Sequence, residues 1–375
     1  MYAVTAAERI IMKLKEMKSG CRAAGYSCPH YDVDAMRERT EQNPVWIHFG
    51  AGNIFRAFHA AAMERMLNAG EIDRGVIVCE SFDTEIIDRA YAPYDNLSLL
   101  VVLRSDGTIE KNVIGSVAAA WKAVPSDPDF AKLQKAFENP SLQMVTYTVT
   151  EKGYAENSRD AMEDCENMTA PKSVIGKTAK LLYHRFLAGA LPLALVSTDN
   201  CSHNGDKLRV GVLAIVNAWK KNGFVGDDFL AYVSDTARVS FPWSMIDKIT
   251  PRPDARVSKM LEADGFEDTE TIVTSFHTYT APFVNAEETE YLVIEDNFPN
   301  GRPALEKAGF IFTDRTTVDR VERMKVCTCL NPLHTAMAIF GCLLGFDSIC
   351  GEMSDPDILS MIRQIGYVEG MPVVT

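Results

Sequence analysis

The sequence predicts an α/β protein with a mainly parallel sheet, followed by an all-α C-terminal domain. Short apolar runs alternate with helical patterns over most of the chain, and polar clusters follow several of those runs. From about residue 303 successive helical patterns replace this alternation. The chain of 375 residues is too long for one ordinary core. We therefore expect a helical extension at 1–42, an α/β domain at 43–302 and the start of a helical domain at 303–375.

Five apolar runs are candidate strands of the parallel sheet. They are Val45–Phe49, Val76–Cys79, Leu99–Leu103, Val145–Val149 and Leu193–Ser197. The segment Thr271–Ile294 mixes apolar and acidic residues, which is typical of an edge strand pair. In parallel sheets ligands gather beyond the carboxyl ends of the strands, so the polar residues that follow these runs predict a binding site there.

Composition excludes several functional classes. The net charge of −13 argues against a nucleic-acid partner, which requires clustered Lys and Arg, and against adhesion to anionic membranes. The nine cysteines form no pair of CxxC motifs, so we expect reduced thiols in a cytoplasmic protein and no metal site. The amphipathic N-terminus has no apolar stretch typical of a signal peptide, and no membrane partner is expected.

A glycine turn follows the first strand. Gly50 and Gly52 precede an amphipathic helical pattern, and Phe55 stands where a dinucleotide fingerprint has its third glycine. Backbone N–H groups in such a turn can approach a pyrophosphate, which the helix dipole also favours. An ordinary tight turn into a helix explains two glycines equally well. The strand before and the helix after favour nucleotide binding.

Glu80 ends the second strand. A carboxylate there can accept hydrogen bonds from the adenosine ribose and would repel a 2′-phosphate, so NAD is favoured over NADP. The alternative is a solvated strand end. Arg56 is not an obvious core residue and could face the phosphates or a neighbouring acid. His48 and His59 flank the turn and are expected to be packing residues, while His203 and Asn204 are expected to hold a turn.

A second cluster comprises Lys325, Asn331 and His334. Asn331 and His334 share a helical face at a spacing of three, whereas Lys325 lies off that face and Pro332 interrupts a regular helix. Oxidation of an alcohol needs a base for the hydroxyl proton and donors for the developing alkoxide, and a desolvated lysine can be that base. Spacing alone fits a surface lysine, a turn asparagine and a core histidine better.

Six segments in order resemble motifs of the polyol-specific long-chain dehydrogenases, which include mannitol dehydrogenase, fructuronate reductase and tagaturonate reductase. They cover most of the chain from about 45 to 350. The segments are HFGAGNIFRAFHA, VTYTVTEKGY, STDNCSHNG, FPWSMIDKITP, VIEDNFPNGRPALEKAG and KVCTCLNPLHTA. The resemblance implies a Rossmann-type domain, NAD as cofactor and a metal-independent reaction.

The resemblance also implies roles for individual residues. Lys325 would be the general acid/base, Glu322 would pass protons to it, and Asn331 and His334 would contact the substrate. Asn200 would polarise the reacting oxygen, and Asp247 would lie beside the nicotinamide. The remaining cofactor-binding residues would be Gly50, Gly52, Asn53, Ile54, Arg56, Glu80, Thr150 and Glu151.

Two features depart from the family pattern. Five residues separate Lys325 from Asn331, one more than is usual, and Asn-Pro-Leu-His replaces the common Asn-Gly-Ser-His. The chain ends at Thr375, whereas the family's helical domain usually continues well beyond this point. We therefore expect a truncated helical domain.

The expected function is NAD-dependent interconversion of a secondary alcohol and a ketone on a linear sugar acid or polyol, with the pair D-mannonate and D-fructuronate favoured. One alternative is a mannitol (polyol) 2-dehydrogenase. The other is a non-catalytic nucleotide-binding protein that has lost turnover through truncation or the altered spacing. The sequence leaves the physiological direction and the oligomeric state open.

Overall fold

The computed structural model describes residues 11–18, 20–21 and 25–374. The chain divides into two compact units. Unit 1 comprises Met1–Leu292 and Asn297–Ile311, and unit 2 comprises Val293–Asp296 and Phe312–Thr375. The first ten residues of the predicted N-terminal extension lie outside the described residues.

The strands are mostly short and apolar. They are β1 (Tyr26–Ser27), β2 (Trp46–Phe49), β3 (Val76–Glu80), β4 (Ser98–Leu103), β5 (Ile109–Ile114), β6 (Val117–Lys122), β7 (Met144–Tyr147), β8 (Leu193–Ser197), β9 (Val239–Ser240), β10 (Ser244–Lys248), β11 (Ile272–Val273), β12 (Tyr279–Thr280), β13 (Phe283–Glu287), β14 (Glu290–Glu295) and β15 (Ile311–Thr313).

The α-helices are α1 (Val33–Gln42), α2 (Ala60–Asn68), α3 (Pro128–Glu138), α4 (Arg159–Glu166), α5 (Val174–Leu187), α6 (Asn204–Lys221), α7 (Asp227–Ser234), α8 (Ala255–Asp264), α9 (Arg315–Arg323), α10 (Asn331–Leu344), α11 (Ile349–Met353) and α12 (Pro356–Arg363). Many begin at an Asp or Ser whose side chain accepts a backbone N–H of the first turn, which satisfies a donor that the helix itself leaves unpaired. The described residues also include π-helical segments at Phe55–His59, Ile87–Tyr91, Met324–Cys329 and Gln364–Gly370.

A six-stranded parallel sheet organises unit 1. Its strand order is β6-β3-β2-β7-β8-β9, and the pairings between neighbouring strands are parallel. The chain moves outward from β2 through β3 to β6, and then returns to β7 on the other side of β2. This reversal leaves a crevice at the carboxyl ends of β2 and β7, the place where open α/β sheets bind ligands. The predicted Rossmann-type fold is confirmed.

Alternation along β2 shows how the sheet separates two layers. Ile47 and Phe49 face a large apolar core shared with α3, α5 and α6. Trp46 and His48 face the opposite layer, where His48 stacks on Phe55 with ring centroids 4.5 Å apart. Because both faces are covered, the strands read as continuous apolar runs.

The predicted strand at Leu99–Leu103 exists but belongs to a different sheet. As β4 it pairs antiparallel with β5 and parallel with β13, in the four-stranded order β1-β5-β4-β13. The expected edge strand pair in 271–294 is likewise divided. There β11 and β12 form a two-stranded antiparallel pair, whereas β13 and β14 join two other sheets. Apolar periodicity identifies a strand, but it does not identify the partner strand.

The described part of the N-terminal segment packs into unit 1. Met12, Leu14 and Met17 join an apolar core with Leu99 and Phe283. Cys21 and Cys28 form a disulfide, with their Cα atoms 5.6 Å apart, within reach of such a bond. The expectation that all cysteines are reduced is wrong for this pair. The remaining described cysteines are free thiols.

The predicted C-terminal helices are largely present, as α9, α10 and α12. The segment ALEKAG instead forms a short 3-10 helix, Leu305–Ala308. Among the described residues, the helical run Arg315–Leu344 is the one segment that is long and apolar enough to cross a membrane by length and composition alone. Leu330 leaves helical geometry within this run, with φ −126° and ψ −66°.

Candidate functional site

The glycine turn after β2 contains two glycines, of which Gly50 has no room for a side chain and Gly52 does. Gly50 adopts φ +114°, and a Cβ there would lie 2.3 Å from the carbonyl oxygen of Thr148, so no other residue fits. Its N–H donates to the carbonyl of Cys79 at 2.9 Å. A Cβ on Gly52 would meet nothing within 4 Å. The turn therefore leaves open space over Gly52, directly before the helical segment that contains the partly buried Ile54.

The sequence suggests that Arg56 faces the phosphates or a neighbouring acid, and in the structure its guanidinium donates to neutral groups. It is fully buried, and its guanidinium donates to the carbonyl of Ala281 at 2.7 Å, to Asn53 Oδ1 at 2.7 Å and to the Thr280 hydroxyl. Asn53 in turn donates to the carbonyl of Tyr279 at 3.3 Å. Both residues thus fasten the β11–β12 hairpin to the glycine turn. The sequence pattern does not indicate that the charged side chain of Arg56 is buried.

Glu80 connects the end of β3 to the glycine turn. One carboxylate oxygen accepts the N–H of Ala51 at 2.9 Å, and the other accepts those of Ser81 and Phe82, also at 2.9 Å. Burial raises the pKa of this carboxyl, although the backbone donors oppose the shift. Lys177 lies beneath the same loop and donates to the carbonyl of Ser81 at 2.7 Å, and burial lowers its pKa to about 8.

Asp199 organises the loop after β7, a role that sequence reasoning missed. Its carboxylate accepts the N–H groups of Val149 at 3.1 Å and Thr150 at 2.9 Å, and it accepts the hydroxyl of Tyr154. Thr150 has φ +65°, a strained conformation for a β-branched residue. Burial raises the pKa of Asp199, and the three hydrogen bonds lower it. The carboxyl ends of β7 and β8 are thereby joined.

Asn204 connects the segment STDNCSHNG, to which it belongs, with the segment FPWSMIDKITP. Its amide donates to the carbonyls of Asp199 and Ser244, and its oxygen accepts the N–H of Ser244, each at 3.0 Å. His203 adopts left-handed geometry with φ 50° and stacks on Trp243 with ring centroids 4.2 Å apart. Both residues hold a turn, as expected.

The other predicted residues of unit 1 are at least partly accessible. Asn200 is exposed just after β8, and Glu151 is exposed and forms an ion pair with Lys207. Asp247 is half-buried in β10. Burial first, and the charge of Asp247 second, raise the pKa of Tyr291 to about 12.

The two histidines beside the turn are packing residues, as predicted. His48 contacts the hydroxyls of Thr146 at 2.6 Å and Thr148 at 2.9 Å, and His59 contacts the Thr198 hydroxyl at 3.0 Å. Burial lowers the pKa of both imidazoles, to about 3 for His59.

Unit 2 holds the lysine cluster. Lys325 and Glu322 are buried, whereas Asn331 and His334 are exposed in the first turn of α10. Pro332 lies in that turn, where its missing N–H costs nothing. Lys325 lies in the π-helical segment before α10, and a π turn holds one more residue than an α turn. The π-helical segment thus accommodates the additional residue before the chain leaves helical geometry at Leu330.

Comparison with known proteins agrees with this architecture. A family model described as the mannitol dehydrogenase Rossmann domain matches residues 45–307. D-mannonate oxidoreductase of Thermotoga maritima is 49% identical over 359 residues, which cover 93% of this chain and 66% of the relative. Mannitol 2-dehydrogenase of Cereibacter sphaeroides is 29% identical, with 92% and 68% covered.

A solved structure is also similar. The ternary complex of Pseudomonas fluorescens mannitol 2-dehydrogenase with NAD and D-mannitol matches with a TM-score of 0.74 and 27% identity, covering 93% of this chain and 67% of that chain. The chain thus spans about two thirds of the length of the relatives that it matches. Because the family model matches more than half of the sequence, the chain belongs to the mannitol dehydrogenase family.

Proposed function

We propose that this protein is an NAD-dependent oxidoreductase that interconverts a secondary alcohol and a ketone on a linear sugar acid, with D-mannonate and D-fructuronate as the favoured pair. The observation that carries the proposal is the 49% identity to a D-mannonate oxidoreductase over 93% of this chain. The mannitol 2-dehydrogenase relative is only 29% identical, so a polyol is the second candidate substrate. We also propose a cytoplasmic location, which the free thiols of most described cysteines support.

The described residues of unit 1 fit a dinucleotide. Open space over Gly52 gives a pyrophosphate access to backbone N–H groups at a helix start. The nearby guanidinium of Arg56 is buried, and its Nε has no hydrogen-bond partner among the described residues. Its hydrogen-bond partners Ala281, Asn53 and Thr280 are neutral groups, so the positive charge would favour an anionic ligand close to it.

Glu80 supports NAD over NADP in this proposal. Its carboxylate is anchored by three backbone donors at the carboxyl end of β3, next to the glycine turn. A fixed negative charge there would repel a 2′-phosphate and accept hydrogen bonds from ribose hydroxyls. Thr150, Glu151 and Asp247 are further proposed cofactor contacts.

The residues of this chain have distinct tasks in the proposed reaction. Bound NAD would supply an acceptor for the hydride that leaves the carbinol carbon. Lys325 takes the hydroxyl proton, and Glu322 relays that proton onward. Asn331 donates its amide N–H to the reacting oxygen, and His334 orients a neighbouring hydroxyl. The reverse reaction returns the proton from Lys325 to the oxygen.

A substrate panel tests this function. The purified chain is mixed with NADH and D-fructuronate, D-tagaturonate or D-fructose, and oxidation of NADH is followed by its absorbance. We expect the fastest turnover with D-fructuronate. Faster turnover with D-fructose would instead establish a polyol 2-dehydrogenase. Binding of NADH without turnover of any of them would identify a non-catalytic nucleotide-binding protein.

A further inference from the structure

Two phenylalanines form an exposed pair in unit 1. Phe82 is 72% exposed and Phe276 is 54% exposed, yet their ring centroids are only 4.8 Å apart, with the ring planes inclined at 54°. Two large apolar side chains that both face water and contact each other lose much of the stabilisation that burial would give. A ligand that covered them would recover it.

Phe82 is fixed relative to the proposed ribose acid. It lies two residues after Glu80, and its backbone N–H donates to the Glu80 carboxylate at 2.9 Å. Its position is therefore set by the same hydrogen bonds that hold the end of β3 to the glycine turn. A base attached to a ribose at Glu80 would lie within reach of this ring.

Phe276 lies in the loop of the β11–β12 hairpin, and hydrogen bonds attach this hairpin to the residues after β3. The Thr274 hydroxyl donates to Asp83 at 2.6 Å, and the Ser275 N–H contacts the Glu85 carboxylate at 3.2 Å. The far end of the hairpin is held by Asn53 and Arg56, as described above. One short hairpin thus connects the glycine turn with the loop after β3, the two places where a dinucleotide's ADP half would bind.

We propose that Phe82 and Phe276 form a platform for the adenine ring of the cofactor. This inference rests on the proposed function and adds the binding residues for its adenosine half. A flat, uncharged aromatic ring suits the site, because bases stack favourably on aromatic side chains. Beside the pair, Asp83 is buried and Glu85 forms an ion pair with Arg89 at 3.5 Å, so stacking rather than charge would bind the ring.

Fluorescence titration with NADH, and competition by AMP and by reduced nicotinamide mononucleotide, separates the two halves of the cofactor. We expect Phe82→Ala and Phe276→Ala to weaken NADH and AMP binding roughly tenfold, with mononucleotide binding unchanged. Phe82→Trp should retain affinity, because it keeps a stacking surface. Phe224→Ala is the matched control, since Phe224 is a similarly exposed phenylalanine outside the hairpin.

The outcomes distinguish this inference from the proposed function. Unchanged NADH and AMP affinity in both alanine variants would overturn the adenine platform while the function stands, as would an equal loss of mononucleotide binding. Binding of AMP that depends on Phe82, without turnover, would support the platform and contradict the function. An unsubstituted chain that binds neither NADH nor AMP overturns both. A sedimentation coefficient that changes in the alanine variants, with cofactor affinity intact, would assign the pair to a protein interface.

Discussion

At the scale of single residues, buried ionisable side chains hold together the loops that surround the candidate site. The sequence suggests that Arg56 faces the phosphates or a neighbouring acid, but it does not indicate that the guanidinium also holds the hairpin. The sequence gives Asp199 no role beyond its place in a motif, yet its carboxylate joins the carboxyl ends of β7 and β8. Sequence patterns reveal which residue types are present, but hydrogen-bond partners far along the chain are determined by tertiary structure.

Glu64 should make stability depend on pH. Burial raises the pKa of its carboxyl to about 7, against opposing hydrogen bonds from Tyr31, Gly115 and Asn68. Between the ordinary pKa near 4.5 and pH 7, the unfolded chain loses this proton and the folded chain keeps it. The contribution of Glu64 to the free energy of unfolding is therefore complete below that window. It falls by roughly 3 kcal/mol as the pH rises through the window.

Urea unfolding from pH 4 to 8 measures this effect on the whole chain and on Glu64→Gln. The glutamine does not titrate, so the variant should show a flatter dependence over the same window. Equal slopes for the two proteins would show that Glu64 has an ordinary pKa.

Glu80 determines the preference for NAD in the proposed function. Glu80→Gln keeps the shape and one acceptor oxygen but removes the negative charge, so the ratio of NADPH to NADH dissociation constants should fall by about tenfold. Glu41→Gln is the control, because Glu41 is an exposed acid of α1, outside the glycine turn and the loop after β3. An unchanged ratio in Glu80→Gln would remove its role in cofactor choice.

At the scale of elements, the central strands of the sheet were predictable and their partners were not. The runs that became β2, β3, β7 and β8 are apolar on both faces and are followed by polar turns, which is typical of buried parallel strands. The run that became β4 looks the same. The residues that indicate its antiparallel partner follow the run. Asp106-Gly107 is typical of a hairpin turn, and this turn leads into β5.

The glycine turn offers a matched pair of substitutions. Gly50→Ala should destabilise the fold by roughly 3 kcal/mol, because the backbone is left-handed and a Cβ would overlap Thr148. Gly52→Ala should change stability by less than about 1 kcal/mol, since its Cβ enters open space. That same methyl group would occupy the proposed pyrophosphate position and weaken NADH binding at least tenfold.

Urea unfolding and NADH titration of both variants test the pair. A stable Gly50→Ala protein would contradict the described turn. Full NADH affinity in a folded Gly52→Ala protein would exclude this turn from the cofactor site.

At the scale of the whole molecule, the two units differ in how much apolar surface they bury. Unit 1 has a large core on the six-stranded sheet. Among the described residues of unit 2, Met337, Ile358 and Ile362 form a small buried cluster, while Leu343 and Leu344 on α10 are exposed. Sequence periodicity predicted the helices of unit 2, but it did not show how little of their apolar surface is buried.

Unit 2 should therefore open more readily than unit 1. Hydrogen–deuterium exchange on the whole chain should show faster exchange in α9, α10 and α12 than in β2, β3, β7 and β8, because local stability follows buried apolar contacts. Equal protection of the two sets of segments would contradict this difference.

Turnover by this chain should depend on Lys325 as the proton acceptor of the proposed NAD-dependent sugar-acid oxidoreductase. The most direct measurement is the rate of NADH oxidation with D-fructuronate, taken together with the NADH dissociation constant, for the unsubstituted chain and for Lys325→Ala. We predict turnover by the unsubstituted chain, a loss of at least about a hundredfold in the variant and similar NADH affinity in both. Equal turnover by the two proteins, or none by an unsubstituted chain that binds NADH, would contradict the claim.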